Sequence, residues 1–438
     1  MRSLAGTVQA VRWAVRVHGL LVVVALTTGI SGPAAAQRLA ERPWWERSWE
    51  STSEHYWIKT DLPRDEARTI ARHLDRMYEE FSRRLASLPA RAPVGLNVYV
   101  FSNQRDYELT LRARFGVNAA GSGGMFFVTG PHHGLALWTE GLSDGRLRHV
   151  LQHEGFHQFA WSRFGGDLPN WVNEGLAEFF GLSVLAGDAL IVGQAHQRTL
   201  DRLKDVVERE AYLSFEDVVG MPNELWMRRV NDGEATLLYE QAWSMVHFLV
   251  YGDGGRYTAA FERYLRLING GLPSAEAFRR AFDTTETQAF EERWKQFIIA
   301  AQPSAFVTAL ERIEFLAEGA LELAKRGIYP ESLDGLKAEL AAIDFSHEFF
   351  GHSRLVTLKA ADDENYRIPL DLRSPEPPIF EVQRPDFRRM LLRERKLEQE
   401  HPSPSIIVTR HVEPRELSIE WRRNRDDPAS FTYQIRAQ

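Results

Sequence analysis

The pattern that most restricts this 438-residue chain is His153-Glu154-Gly155-Phe156-His157, followed after sixteen residues by Glu174. No proline interrupts 149–164, and Val150, Leu151, Phe159 and Ala160 recur at helical spacing, so an α-helix is expected there. Residues four apart then lie one turn apart on one face. Two imidazoles so placed can converge on one ion, with N–Zn distances near ~2.0–2.1 Å. Gly165-Gly166 and Pro169 break that helix and let a second one, carrying Asn170-Trp171-Val172-Asn173-Glu174-Gly175-Leu176-Ala177-Glu178, fold back against it. From it Glu174 can supply a third ligand and leave the fourth position to water. Glu178, one turn further, is placed to accept the free N–H of a ligand histidine.

H-E-x-x-H alone would arise by chance roughly once in 30 chains with this His and Glu content. The carboxylate on the following helix is what gives the pattern weight. His149 and His153 form a rival i,i+4 pair, but Val150 leaves it without an adjacent base, so His149 is read as supporting or structural. His347 and His352 are five apart, about 140° around a helix, and cannot pair on one face. His132-His133 falls in a hairpin turn, where solvation is the expected state.

The chain has no cysteine, so disulfides, thiol nucleophiles and thiolate metal sites are excluded, and any metal site must use His and carboxylates. With 44% hydrophobic and 26% charged residues the composition is that of a globular protein with ample core. The net charge of −7 and the lack of a basic stripe argue against nucleic-acid binding. Arg2, Arg12 and Arg16 precede the apolar run Leu20 to Leu26, which ends at Ala34-Ala35-Ala36. This describes a secretory signal at 1–36, cleaved after Ala36, for a secreted or periplasmic protein with no stable membrane span after its removal.

Organisation is expected as follows. Gln37 to Ser53 is Trp-rich without a clear period. Tyr56 to Thr60 and Leu96 to Phe101 read as strands, and Asp65 to Leu88 and Arg105 to Phe115 as helices. Met125 to Val128 and Leu135 to Trp138 flank a turn, the pattern of a hairpin. Arg146 to about Gln302 reads as mostly helical. Thr308 to Arg326 and a short helix opening at Tyr329-Pro330 form a helical hairpin. Strands follow at Leu355 to Leu358, Ser405 to Thr409, Leu417 to Trp421 and Phe431 to Ile435, and Arg388 to Glu400 is a charge run expected on a solvated helix face. The domains expected are therefore 53–302, a catalytic domain; 303–344, the helical hairpin; and 345–438, a small β-rich module.

H-E-x-x-H followed by W-x-N-E-G-x-A-E resembles the gluzincin metallopeptidases, and most closely the uncharacterised bacterial branch of the peptidase MA-like superfamily. That branch also carries a helix similar to Tyr239-Glu-Gln-Ala242-Trp243-Ser-Met-Val246-His247-Phe248-Leu249. The resemblance covers roughly 53–300. It implies an α+β fold with a small N-terminal mixed sheet and a helical C-terminal half. It also implies Zn2+ held by His153, His157 and Glu174, with Glu154 as general base on zinc-bound water. The expected activity is zinc-dependent hydrolysis of peptide bonds, endopeptidase in kind, since no G-x-M-E-N-type motif stands upstream to hold a free amino terminus. Besides the metal, a donor must stabilise the oxyanion; Tyr239 is the candidate and His247 the reserve. Peptide or protein substrates are the expected partners, and the 122–138 hairpin can offer them an edge strand. The alternative is a catalytically inactive zinc-containing binding or assembly module of the cell envelope. The sequence gives no oligomeric state.

Overall fold

The computed structural model describes residues 42–437, apart from residues 87, 89–94, 143, 167, 187–188, 284–286, 352–353, 371–375, 386–391, 414 and 425–426. The expected signal at 1–36 and His352 lie outside the described residues. The chain divides into two compact units. One comprises residues up to Gly181 together with Ser214–Gln288, the other Leu182–Leu213 together with Ala289–Gln438.

In the first unit, β1 (Trp49–Thr52) and β2 (Tyr56–Thr60) pair antiparallel, and α1 (Arg64–Arg84) crosses to β3 (Leu96–Phe101). After α2 (Gln104–Phe115), β4 (Gly124–Thr129) and β5 (His132–Trp138) form the expected hairpin. The sheet order is β1-β2-β3-β5-β4, with β5 inserted parallel beside β3, so β4 is an outer strand. Strand alternation sorts the core. Val98, Val100, Leu135 and Leu137 pack with Ile70 and Leu74 of α1 and with Val150 and Leu151 of α3 (Asp144–Phe164). Tyr99, Phe101, Met125 and Phe127 face the other way, onto Tyr107 and Leu111 of α2. Local chemistry sets the ends of α2: the Asn103 side chain accepts the Asp106 N–H, and Gly116 closes the helix at φ 68°.

α4 (Asn170–Gly181) follows α3. The chain then enters the second unit for β6 (Val184–Ala186), β7 (Ala189–Ile191) and α5 (Gln197–Glu208). It returns to the first for α6 (Phe215–Gly220), α7 (Asn223–Arg229), α8 (Ala235–Gly255), α9 (Thr258–Asn269) and α10 (Ser274–Phe282). α4 packs against both α3 and α8. The approach to α8 depends on Gly175, where an added Cβ would stand 2.5 Å from the Ala242 carbonyl oxygen and 2.7 Å from Val246 Cγ2.

α11 (Thr287–Ala300) leads back into the second unit. There α12 (Ala305–Lys325), α13 (Leu333–Ala342), β8 (Ser346–Gly351), β9 (Arg354–Lys359), β10 (Ile379–Gln383), α14 (Leu392–Glu400), β11 (Ile406–Arg410), β12 (Leu417–Arg423) and β13 (Phe431–Ala437) follow. β10 to β13 form an antiparallel sheet in sequence order, while β6–β7 and β8–β9 are two-stranded ribbons. One core joins Ile313 and Leu316 of α12, Leu340 of α13, and Phe380, Ile407 and Leu417 of the sheet.

The architecture is mixed α+β, and no helix among the described residues is long and apolar enough to cross a membrane. Four local expectations change. The Trp-rich segment holds a one-turn helix, Trp44–Arg47, and β1. The stretch expected to be mostly helical contains the β6–β7 ribbon, and the C-terminal region adds β8 and β10 to the strands expected. In the charge run, Glu398 is 3% exposed and pairs with Arg423 at 2.8 Å, so it is a buried partner and not a solvated one.

Candidate metal centre

α3 runs through the interior of the first unit, with residues 150–160 buried all round. His153 and His157 lie one turn apart on it, and their Nε2 atoms stand 3.1 Å from one another. α4 brings Glu174 Oε2 to 3.3 Å from His157 Nε2 and 3.6 Å from His153 Nε2. All three side chains are buried, and their ligand atoms form a convergent group able to hold a metal ion.

The spacing fits a small ion. A tetrahedral Zn2+ with bonds near ~2.05 Å keeps its ligand atoms about 3.3 Å apart, in the middle of the three separations seen. Protonation states fit as well. His157 Nδ1 lies 3.1 Å from Asn173 Oδ1, an acceptor, so Nδ1 carries a proton and Nε2 is the nitrogen that faces the centre. Glu174 Oε2 is buried with no hydrogen-bond partner among the described residues, although both imidazoles face it.

Electrostatics point the same way. Burial alone would lower the His157 pKa, but the Glu174 carboxylate outweighs it, with Glu154 and Asn173 adding, and the group rises to about 9. For Glu174 burial would raise the carboxyl, yet the two histidines hold it down near 2.

The neighbouring carboxylates differ in their partners. Glu178 Oε1 lies 3.4 Å from His153 Nδ1, on the side of the ring away from the centre. Burial raises its pKa, against the pull of His153 and Arg146. Glu154 is 6% exposed, and its Oε2 accepts the backbone N–H of Phe126 on β4 at 2.8 Å. Burial raises this carboxyl too, opposed by both histidines and by the Phe126 hydrogen bond.

Tyr239 on α8 is 8% exposed, with its ring centroid 6.1 Å from that of Trp226. Burial, then the charges of Glu174, Glu178 and Glu154, push its phenol far above the usual range, so it stays a neutral O–H. The reserve candidate, His247, lies between Trp243 and Tyr251, each 4.9 Å away centroid to centroid.

The other histidines separate cleanly. His149 Nδ1 lies 3.1 Å from the Gly181 carbonyl at the end of α4, and with His153 and Glu178 it forms a second convergent group sharing one histidine with the first. His133 bonds the Gly95 carbonyl at 2.9 Å, and His132 is exposed. His347 lies on β8, in the second unit.

Three groups at the centre had no separate reading in the sequence. Arg146 is a charged neighbour of both Glu178 and Glu154. The Phe126 contribution is backbone, which residue identity does not announce. Asn173 could have been found, since it immediately precedes Glu174 on the same helix.

The family described as a protein of unknown function (DUF1570) matches residues 149–268. That span begins at His149 and includes both motif histidines, Glu174, Glu178, Tyr239 and His247. No curated protein matches the chain.

Proposed function

We propose that this chain is an exported zinc metallopeptidase of the gluzincin kind, hydrolysing peptide bonds. The observation that carries the reading is the convergence of two Nε2 atoms and one carboxylate oxygen at metal-ligand spacing, with a further buried carboxylate, Glu154, next to the first histidine. His153, His157 and Glu174 would hold the ion. When bound, it would act as a Lewis acid on the scissile carbonyl and lower the pKa of water.

The chain supplies the rest. Glu154 takes a proton from the attacking water and delivers it to the leaving amine. Its burial raises its proton affinity, which helps a carboxylate serve as base and then as acid. Glu178 orients the His153 ring, and Asn173 orients that of His157. Tyr239 donates its hydroxyl proton as a hydrogen bond to the oxyanion. β4, the outer strand of its sheet, receives an extended substrate segment by strand addition.

The test is Glu154→Gln beside His157→Ala, each assayed for bound zinc and for cleavage of a peptide library. The amide oxygen of the first variant still accepts the Phe126 N–H, so it should fold and keep about one equivalent of zinc while losing about 10²–10⁴-fold in rate. The second should lose the metal. Full activity in Glu154→Gln, or no zinc in the wild type after supplementation, would remove the proposal.

A further inference from the structure

The turn end of the β4–β5 hairpin carries an aromatic cluster that the hydrolytic mechanism does not use. β4 and β5 pair Phe126 with Leu135 and Val128 with His133. Residues directly opposite share a face of the sheet, so Phe126, Val128 and His133 lie on the face that carries Leu135, toward α3. There Phe126 and His133 meet Trp161 of α3, with ring centroids 5.8 and 4.6 Å from that of the indole. His133 is itself anchored, its Nε2 2.9 Å from the Gly95 carbonyl oxygen, so the sheet holds the ring that stacks on Trp161.

Two relationships tie this cluster to the metal centre. Trp161 stands one turn beyond His157, and at 3.6 residues per turn it falls within about 20° of Glu154 around the helix. Phe126 is also the residue whose N–H the Glu154 carboxylate accepts at 2.8 Å. Exposure sets the cluster apart from the core. Trp44, Trp171, Trp226 and Trp243 are each 1% exposed, whereas Phe126, Val128, His133 and Trp161 are all half-buried. Grouped apolar surface of this kind marks a binding site, where a lone exposed residue would not.

Strand geometry indicates what covers it. In an antiparallel pair, alternate residues turn their N–H and C=O away from the partner strand. The Phe126 N–H goes to Glu154, so Phe126 belongs to the outward set, and Val128, two residues on, shares its orientation. A peptide segment laid along β4 past Glu154 therefore bonds at the residues whose side chains face α3. A segment residue opposite Phe126 or Val128 has its Cβ about 4.5–5.5 Å from theirs on the same face, within reach of the indole.

We propose that Phe126, Val128, His133 and Trp161 form the specificity subsite of the centre, taking an aromatic or other bulky apolar side chain within about two residues of the scissile bond. The inference rests on the hydrolytic reading and adds a substrate class to it. None of the four side chains is a carboxylate or a permanent cation, so a charged substrate residue gains nothing there to offset its desolvation.

The experiment uses blocked peptides with Phe, Ala or Glu placed at each position in turn. Cleavage is followed with the zinc-supplemented full chain, wild type, Trp161→Ala and Trp161→Phe. Binding is followed by calorimetry on Glu154→Gln with and without Trp161→Ala, so that turnover does not intrude. At one position near the cut, Phe should exceed Ala by about 10–100-fold in kcat/KM and in affinity, and Glu should fall below both. Trp161→Ala should bring the Phe-to-Ala ratio within about threefold while keeping its zinc and its rate on the Ala peptide, and Trp161→Phe should restore most of the preference. No preference in a wild type that cleaves, or a preference that survives Trp161→Ala, would overturn the subsite. A Trp161-dependent binding preference without any cleavage would remove the hydrolytic reading and leave the aromatic subsite standing. If no peptide is bound or cleaved, both fall.

Discussion

The Glu154 carboxylate on α3 is tied to the backbone of Phe126 on β4, accepting its N–H at 2.8 Å. A helix-borne side chain is thereby fixed by the sheet, and its reach matters as much as its charge. Glu154→Asp withdraws the carboxylate by one methylene and breaks that tie. Displacements of about 1 Å in a reacting group cost on the order of 10²-fold in rate. The variant should keep its zinc and lose about that much in kcat, as single-turnover hydrolysis would read. A kcat within twofold of wild type would mean that Glu154 is not the base.

Gly175 neighbours Glu174, and its missing side chain lets the Ala242 carbonyl come close. Gly175→Ala places a methyl within 2.5 Å of that oxygen, so α4 and α8 must separate. The expected cost is about 1–3 kcal/mol in denaturant unfolding, with weaker zinc retention as Glu174 shifts. Unchanged stability and zinc affinity would show that the helix pair is looser than this packing implies.

Tyr239 keeps its proton at any working pH because burial and three nearby carboxylates oppose its ionisation. Tyr239→Phe removes only the hydroxyl. If that hydroxyl steadies the oxyanion, kcat should fall about 10²–10³-fold with KM little changed. An unaltered kcat would leave Tyr239 as a packing partner of Trp226 and pass the donor role to His247.

His73, on α1, is depressed to about 3, first by burial and then by the Arg148 and Arg76 cations. It is neutral in the folded chain, whereas the unfolded chain takes up a proton below pH 6.5. Stability should therefore fall as pH drops from 6.5 toward 3, by about 1.4 kcal/mol per pH unit from this residue. His73→Leu should show a shallower decline over that window in urea denaturation at fixed pH values. Parallel curves for the two proteins would contradict the burial argument.

What the sequence made legible follows its periods. α1 was readable because Ile70, Leu74, Met77 and Phe81 fall on one face, and β3 and the β4–β5 hairpin because their apolar residues match strand spacing. The two helices of the centre, and the meeting of His153, His157 and Glu174, followed from spacing and a break between them. β1 escaped because its four residues alternate between half-buried and exposed positions without an apolar run. β6 and β7 are three residues each, too short to show a period inside a helical stretch. Phe126 escaped for a different reason: it acts through its amide, which every residue but proline possesses.

The chain passes between its units three times, after Gly181, Leu213 and Gln288. No single cut can release one unit intact. A fragment ending at 288 would still carry α5, whose Leu200, Leu203 and Val207 are buried, but without 289–438, the rest of the unit to which α5 belongs. Such a truncation would present a greasy helix to solvent and invite aggregation, whatever the state of the histidine cluster. Producing the first unit alone calls for excising 182–213 and joining Gly181 to Ser214, a join placed seven residues beyond Glu174.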